Sequence, residues 1–349
     1  MGATFLVLGV LAVSIATVSG QNCEPTFQDN QVEIESNGRT ITGTVRGCFI
    51  GTQLPNVNGN PFSINIKGQV IPSLNKGAIS NIQHIFKLNI IHNRIEIIKE
   101  GAFQNLPGLS ELQLHHNHIT TVESYAFENL LSVVIIYLQN NNIEVVRKDT
   151  FVNLPNLLGV YLNHNNLKRF DQDWFVSTPL LDRIVLTNNQ ITSIQDAAFQ
   201  HLRTLTVISL RNNKINYIHP EAFYGLNQLD EVTLGGNQLT SFNINLSHLS
   251  VLYRLDLGYN KITYLSTEVL NAIRYSMKEL FVQSNPIQCS CADELISWAA
   301  KNNIKLFWKC ENKEVYCVLP LSGENKCVKR SSNEFDLATF QNFESECVI

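Results

Sequence analysis

Three histidines crowd around one asparagine in the stretch LQLHHNHI, residues 112–119. Imidazole is the commonest metal ligand in proteins, and neighbouring imidazoles either share a metal ion or repel each other when both are protonated. A transition-metal site also needs a third or fourth ligand in suitable geometry. Whether the stretch does chemistry therefore depends on what surrounds it.

The stretch LQLHHNHI is one copy of a frame that occurs nine times along the chain. The frame reads apolar-x-x-apolar-x-apolar-x-x-Asn-x-apolar, and its asparagines are 24 residues apart six times, then 23 and then 25. These are Asn93, Asn117, Asn141, Asn165, Asn189, Asn213, Asn237, Asn260 and Asn285. A phenylalanine follows ten residues later at Phe103, Phe127, Phe151, Phe175, Phe199 and Phe223. Self-similarity at such a period predicts a solenoid of stacked units.

This repeat resembles the extracellular leucine-rich repeat family, including its secreted members of the arthropod type, over roughly residues 60–295. The resemblance implies an α/β repeat solenoid: a right-handed horseshoe with a parallel sheet on its concave face and disulfide-stapled caps. In each frame the alternation predicts a short strand whose apolar side chains point inward. The asparagines are then interpreted as scaffold that pairs backbone groups in the turn.

The ends of the chain predict export and caps. The apolar run 5–16, followed by Val18-Ser-Gly20, predicts a signal peptide. All eight cysteines follow it, and an even count in an exported chain predicts four disulfides. No later apolar stretch is of membrane length, so a secreted, extracellular protein without a membrane anchor is expected. The predicted divisions are signal peptide 1–20, N-terminal cap 21–60, repeats 61–284 and C-terminal cap 285–349.

The N-terminal cap is predicted to be a β-hairpin. Asn37-Gly38 suits a two-residue type I′ turn, which sets Ile34 opposite Ile41. Cys23 and Cys48 flank the hairpin and are expected to pair.

Six cysteines fall in the C-terminal cap, and six allow fifteen connectivities. The segment from Asn285 to Trp298 resembles the cysteine-rich C-terminal flanking domain of the same family. That resemblance implies the pairs Cys289–Cys317 and Cys291–Cys347, and leaves Cys310–Cys327 as an additional bond. The alternative, half a zinc site at Cys289-x-Cys291, is weak in an oxidising compartment.

No residue set in the sequence predicts catalysis, a cofactor or a metal. The chain has no G-x-S-x-G, H-E-x-x-H, P-loop or G-x-G-x-x-G motif, so an enzyme is not expected. A net charge of −4 gives no reason to expect nucleic acid. His92 and His116 should lie roughly 5 Å apart on neighbouring strands, but Asn140 stands between His116 and His164 in the same register.

The strand residues between the apolar ones form a surface, and two tyrosines are neighbours on it. Tyrosine and arginine often anchor protein interfaces. The alternative is that tyrosine simply suits a strand. The hypothesis is a protein-binding patch formed by Gln113, His115, Tyr137, Gln139, Tyr161, Asn163, Arg183 and Arg211.

Such a protein is expected to bind a protein partner in adhesion, guidance, innate immune recognition or a secreted complex, where it is a non-catalytic subunit. The alternative function is binding of extracellular matrix or carbohydrate. The sequon Asn245-Leu-Ser247 predicts an N-glycan at Asn245, away from the strands. The pattern leaves the oligomeric state open.

Overall fold

A computed structural model of the protein describes residues 11–14, 23–55, 62–308, 317–323, 326–328, 330 and 334–335. The chain divides into two compact units. Unit 1 comprises Met1–Leu167 and Asp171–Asp182, and unit 2 comprises Lys168–Phe170 and Arg183–Ile349. This division falls within the repeats, and the boundaries at residues 20, 60 and 284 stay predictions.

The described residues of unit 1 form strands and two short 3-10 helices, Gly51–Gln53 and Gln172–Trp174. Its strands are β1 (Leu11–Ser14), β2 (Phe27–Ser36), β3 (Arg39–Gly47), β4 (Phe49–Ile50), β5 (Phe62–Lys67), β6 (Ser73–Leu74), β7 (Ile79–Ser80), β8 (Phe86–Ile91), β9 (Ile97–Ile98), β10 (Phe103–Gln104), β11 (Leu109–Gln113), β12 (Thr121–Val122), β13 (Ile135–Tyr137), β14 (Val145–Val146), β15 (Phe151–Val152), β16 (Gly159–Tyr161) and β17 (Phe175–Val176). The main sheet has the order β1-β3-β2-β5-β8-β11-β13-β16, and from β5 onward its strands are parallel.

Unit 2 continues the same pattern, and its described part also contains two α-helices. Its main sheet has the order β18-β20-β22-β23-β24-β25, and all its strands are parallel. The elements are β18 (Arg183–Val185), β19 (Ser193–Ile194), β20 (Val207–Ser209), β21 (Tyr217–Ile218), β22 (Glu231–Thr233), β23 (Arg254–Asp256), α1 (Thr267–Ile273), β24 (Glu279–Phe281), α2 (Cys289–Lys301) and β25 (Lys305–Phe307). Among the described residues, no helix is both long and apolar enough to cross a membrane.

The alternation of each frame determines which side of the sheet is buried. In β8, Phe86, Leu88 and Ile90 are buried in the core, whereas the residues between them face outward. The corresponding residue of the next strand lies 24 positions on, so that Leu88 pairs with Leu112. The predicted fold class, a leucine-rich repeat solenoid with a parallel sheet and disulfides near its ends, is confirmed.

The frame asparagines join neighbouring repeats, as Asn141 illustrates. Its Nδ2 donates to the carbonyl oxygens of Leu138 at 3.0 Å and Leu114 at 3.1 Å. Its Oδ1 accepts the backbone N–H of Ile119 at 3.1 Å. The side chain is buried, so each bond pairs a backbone group that water does not reach. The scaffold interpretation of these asparagines is consistent with these bonds.

The phenylalanines form a second ladder behind the sheet. In unit 1, the rings of Phe103, Phe127, Phe151 and Phe175 stack in sequence at centroid distances of 5.7, 5.3 and 4.9 Å. In unit 2, Phe199 stacks on Phe223 at 5.7 Å. This ladder fills the core opposite the main sheet.

The hairpin has the predicted turn and register. Asn37 and Gly38 have φ values of 50° and 71°, the left-handed conformations that a type I′ turn requires. Ile34 pairs with Ile41, and Cys23 is bonded to Cys48. Strand β1 lies within the predicted signal peptide and pairs in parallel with β3. Cleavage after residue 20 stays a prediction.

The C-terminal disulfides require one correction. Cys289 pairs with Cys317 as predicted, but Cys291 pairs with Cys327, so the predicted pairs Cys291–Cys347 and Cys310–Cys327 are wrong. Cys310 and Cys347 lie outside the described residues.

Hydrogen bonds at the start of α2 explain the corrected pairing. Gln288 Nε2 donates to the Val328 carbonyl at 2.6 Å, and Arg330 Nη1 donates to Gln288 Oε1 at 2.6 Å. These bonds hold the segment around Cys327 against the helix, so the Cα atoms of Cys291 and Cys327 are 4.7 Å apart. That separation lies within the normal range for a disulfide.

Candidate functional site

The strands of unit 1 display three rows of side chains on the side of the sheet opposite the core, here called the front face. Register pairs the members of each row on successive strands, which lie about 4.8 Å apart. The first row is Lys87, Glu111, Ile135 and Gly159; the tyrosine row is Asn89, Gln113, Tyr137 and Tyr161; the histidine row is Ile91, His115, Gln139 and Asn163.

Six of the eight residues predicted to bind a partner lie together on this face. Gln113, Tyr137 and Tyr161 are in the tyrosine row. His115, Gln139 and Asn163 follow two residues later on the same strands, where backbone bonds from His116 to Gln139 and from Asn140 to Asn163 continue the ladder. Arg183 and Arg211 belong to unit 2.

Tyr137 and Tyr161 form the centre of the front face. Their rings are stacked with centroids 5.0 Å apart and planes inclined at 24°, and both side chains are half-buried. Burial raises the pKa of the Tyr137 phenol, and the neighbouring Glu111 and Tyr161 act in the same direction. The phenol is therefore neutral at physiological pH and can donate or accept a hydrogen bond.

A polar chain runs along β11 beside the tyrosines. Lys87 Nζ lies 2.8 Å from Glu111 Oε2, and Gln113 Nε2 donates to Glu111 Oε1 at 2.5 Å. The other amide atom, Gln113 Oε1, lies 3.3 Å from His115 Nε2. Burial opposes the charge on Glu111, but the bonds from Lys87 and Gln113 outweigh it and leave its pKa lowered.

The three histidines around this row are close together. The rings of His92 and His116 stack at 4.8 Å and 9°, in agreement with the predicted separation, and His115 meets His116 edge-on at 5.1 Å. Burial lowers the pKa of His115, and the charges of His116 and His92 add to the effect. Within the described ranges, no group of three His, Cys, Asp or Glu side chains is arranged to hold a metal ion.

Backbone geometry explains why histidine is tolerated before the frame asparagine. His92, His116, Asn140 and His164 have φ values of 59°, 55°, 55° and 56°. This left-handed conformation is uncommon outside glycine, and Asn, Asp and His adopt it more readily than other residues. His92, His116 and His164 therefore occupy a position whose backbone conformation favours histidine.

In unit 2, Arg211 is held by an acid that the sequence pattern did not single out. Arg211 Nη1 donates to Asp256 Oδ2 at 3.0 Å, and its guanidinium lies 5.8 Å from the centroid of Tyr259. Burial raises the pKa of Asp256 despite the bond from Gly258 N–H and the charges of Arg211 and Arg254. The sequence did contain a sign of this ion pair. Asp256 is an acid within a strand, and the neighbouring strand is followed by Gly235, which leaves room beside the carboxylate.

Gly235 leaves the space that this ion pair occupies. A Cβ at residue 235 would lie 2.7 Å from Asp256 Oδ2 and 2.9 Å from Oδ1. The Asp256 carboxylate has no freedom to retreat, because it is buried and already bonded to Gly258 N–H.

We therefore expect Gly235→Ala to lower the free energy of unfolding by about 2 kcal/mol, the usual cost of overpacking. Urea denaturation followed by circular dichroism measures it. The control is Gly258→Ala, whose Cβ would meet the movable side-chain amide of Gln283 and should cost less than about 1 kcal/mol. Equal losses in the two variants would contradict the explanation.

A second aromatic pair was also missed, because Phe307 lies beyond the repeated frames. Phe281 and Phe307 stack at 4.0 Å with nearly parallel rings. Arg254 lies 4.7 Å from the Phe281 centroid, and Lys305 lies 4.5 Å from the Phe307 centroid. Arg254 is also 3.8 Å from both Glu231 and Glu279, so its charge is balanced locally.

Comparison with known proteins agrees with this geometry. The family model described as "Leucine rich repeat" matches residues 63–119, 83–143, 131–191 and 179–239, which together cover just over half of the chain. The chain belongs to the leucine-rich repeat family. No curated protein sequence matches it significantly.

Among solved structures, the chain is similar to one described as the crystal structure of a TLR13–ssRNA13 complex. The sequence identity is 26% and the TM-score is 0.53. The match covers 59% of this chain but only 29% of that chain.

Proposed function

We propose that this protein is a secreted, non-enzymatic binding module that recognises a protein partner through the front face of unit 1. The observation that carries the proposal is the stacked, half-exposed pair Tyr137 and Tyr161 in the middle of that face. Tyrosines are enriched in protein interfaces because they supply a large rigid area and a polar tip. Each also carries a hydroxyl that a protein surface can pair.

The surroundings of the tyrosine pair have the composition of an interface centre. The amides of Gln139 and Asn163 lie two residues further along the same strands and can pair backbone or side-chain groups of a partner. Glu111 lies on the strand next to Tyr137 and Lys87 lies one strand further, and their charges neutralise each other with Lys87 Nζ 2.8 Å from Glu111 Oε2. Charge depletion at the centre with a polar rim is typical of protein–protein contacts.

Arg183 and Arg211 are not part of this proposal. Both belong to unit 2, and Arg211 is engaged with Asp256 at 3.0 Å. The candidate site therefore consists of Gln113, His115, Tyr137, Gln139, Tyr161 and Asn163.

We also propose that the protein is secreted, like the secreted arthropod-type proteins that the sequence resembles. Three disulfides among the described residues favour an oxidising compartment. The proposed glycan would be attached at Asn245, which is exposed and whose Oδ1 accepts the Ser247 hydroxyl at 2.7 Å. This segment lies outside the strands of unit 2.

Single-stranded RNA is the rival ligand that the TLR13–ssRNA13 similarity brings in. Nucleobases stack on tyrosines, but the phosphates of the strand need cations that are free to bind them. On this face Lys87 is paired with Glu111, so its charge is already neutralised and is less available to a phosphate. This favours a protein partner over RNA.

The test is the affinity of the variant Tyr137→Ala/Tyr161→Ala for a partner. Candidates are identified by crosslinking in native extracellular fluid and produced in recombinant form, and their affinity is measured by interferometry. Truncating two anchor residues is expected to weaken binding at least 30-fold, or about 2 kcal/mol, at unchanged thermal stability.

The matched control is Tyr217→Ala/Tyr224→Ala, which removes two tyrosines that are 48% and 58% exposed on unit 2. It should leave affinity within about twofold of the wild type, because surface substitutions away from an interface are near neutral. Wild-type affinity in the Tyr137→Ala/Tyr161→Ala variant would contradict the proposal.

A further inference from the structure

Two adjacent repeats differ from all the others in charge. Of the nine frames, only those on β13 and β16, VVIIYLQNNNI (133–143) and LLGVYLNHNNL (157–167), contain no Asp, Glu, Lys or Arg. The charge-free runs are longer than the frames and cover residues 129–143 and 150–167. They carry Tyr137 and Tyr161, and neighbouring β11 carries Glu111.

Large aliphatic side chains are exposed in the segments that precede β13, β16 and β18. Leu131, Leu158 and Leu180 are 48%, 42% and 47% exposed, and all three belong to unit 1. We call these three residues the leucine edge.

Hydrogen bonds bring together the backbone of the segments that carry Leu131 and Leu158 and of the residues just after Leu180, and we call this run of segments the strip. Asn156 Nδ2 donates to the Leu131 carbonyl at 2.8 Å, which brings the loop before β16 against the loop before β13. Leu158 N–H donates to the Val134 carbonyl at 2.8 Å, and Asp182 N–H donates to the Leu158 carbonyl at 2.9 Å. Ile135, half-buried in the first row, connects this strip to the tyrosine pair.

We infer that the binding surface of unit 1 continues from the tyrosine pair over Ile135 onto the leucine edge, and that its occupant is a protein whose contacting residues are apolar and uncharged. The inference rests on the proposed function and adds the extent of the surface and the chemistry of the partner. Exposed apolar side chains that cluster together mark interfaces. Single exposed apolar side chains are common on any protein surface and indicate nothing by themselves.

The charge pattern selects the occupant. An anionic chain, such as RNA or a sulfated polysaccharide, binds where lysines and arginines meet its charges. The frames on β13 and β16 offer none, so a charged ligand laid across them would lose water without gaining a counterion. An apolar protein segment loses little hydration there and buries both the leucines and the tyrosine rings.

The experiment uses defined peptides as probes. Peptides that bind the full-length protein are selected from a random phage-displayed library, and their affinities are measured by calorimetry. We expect selected peptides rich in aliphatic and aromatic residues and poor in charge.

Leu158→Lys and, separately, Leu131→Lys should each weaken such a peptide at least tenfold. Thermal unfolding should stay close to that of the wild type, because both positions are partly exposed and the amine of a lysine can reach water. The matched control is Val70→Lys, which places the same charge at a valine that is 67% exposed in the same unit and should bind as the wild type does.

The outcomes separate this inference from the proposed function. One outcome is that peptides lose affinity for Tyr137→Ala/Tyr161→Ala but bind both lysine variants normally. It would contradict the claim that the leucine edge belongs to the binding surface, and it would leave the proposed function standing. Peptides insensitive to the tyrosine replacements, or stronger binding of a poly-uridine oligonucleotide or heparin than of any selected peptide, would overturn both.

Discussion

Replacing Asn141 by alanine is expected to lower the free energy of unfolding by about 3 kcal/mol. The substitution removes the acceptor for Ile119 N–H and the donor for the carbonyls of Leu114 and Leu138. The buried Ile119 N–H is left unpaired, which costs about 1–3 kcal/mol. The carbonyls of Leu114 and Leu138 each lose one of two amide donors, because the side chains of Asn117 and Asn165 still donate to them. Urea denaturation with the disulfides intact measures the loss.

The neighbouring asparagine is the control for this prediction. Asn142 is exposed, and its backbone N–H, which donates to the Ile119 carbonyl, is kept by an alanine. Asn142→Ala should therefore change stability by no more than about 0.5 kcal/mol. Comparable losses at residues 141 and 142 would refute the role assigned to the buried ladder.

Replacing Phe127 by alanine is expected to cost about 4 kcal/mol, the range seen when a buried phenylalanine leaves a cavity. The ring is fully buried and stacks on Phe103 at 5.7 Å and on Phe151 at 5.3 Å. Its neighbours are fixed in adjacent repeats by their own backbone bonds, so the cavity cannot close fully.

Phe127→Leu separates volume from aromatic stacking. Leucine retains most of the apolar volume, and the expected loss is about 1.5 kcal/mol. Both variants are measured by the same denaturation experiment. A loss below about 1 kcal/mol for Phe127→Ala would show that the phenylalanine ladder does not close the core as described.

The sequence predicts the fold well because every repeat has the same pattern of apolar residues and the same asparagine. Alternation places Leu88 and Leu112 in the core and pairs them in register, and the frame asparagine is the polar group that the turn needs. The rows of the front face follow from the same alternation, which is why Tyr137 and Tyr161 could be placed side by side beforehand.

The features that the sequence did not predict depend on contacts between non-repeated positions. Cys291 pairs with Cys327 because Gln288 and Arg330 hold that segment at the start of α2, and no repeat encodes those bonds. The bond from Arg211 to Asp256 spans two strands and exists only because Gly235 lacks a side chain. The left-handed turn at His116 could have been read from the His, Asn and Gly residues that precede the frame asparagines.

Hydroxyl-radical footprinting of the complex tests the central claim most directly. Radicals oxidise exposed tyrosine rings, and mass spectrometry reports the extent at each residue with and without the bound partner. A partner on the front face of unit 1 should protect Tyr137 and Tyr161 several-fold and leave Tyr217 and Tyr224 unchanged. Undiminished oxidation of Tyr137 and Tyr161 in the saturated complex would contradict the assignment of this face as the binding site.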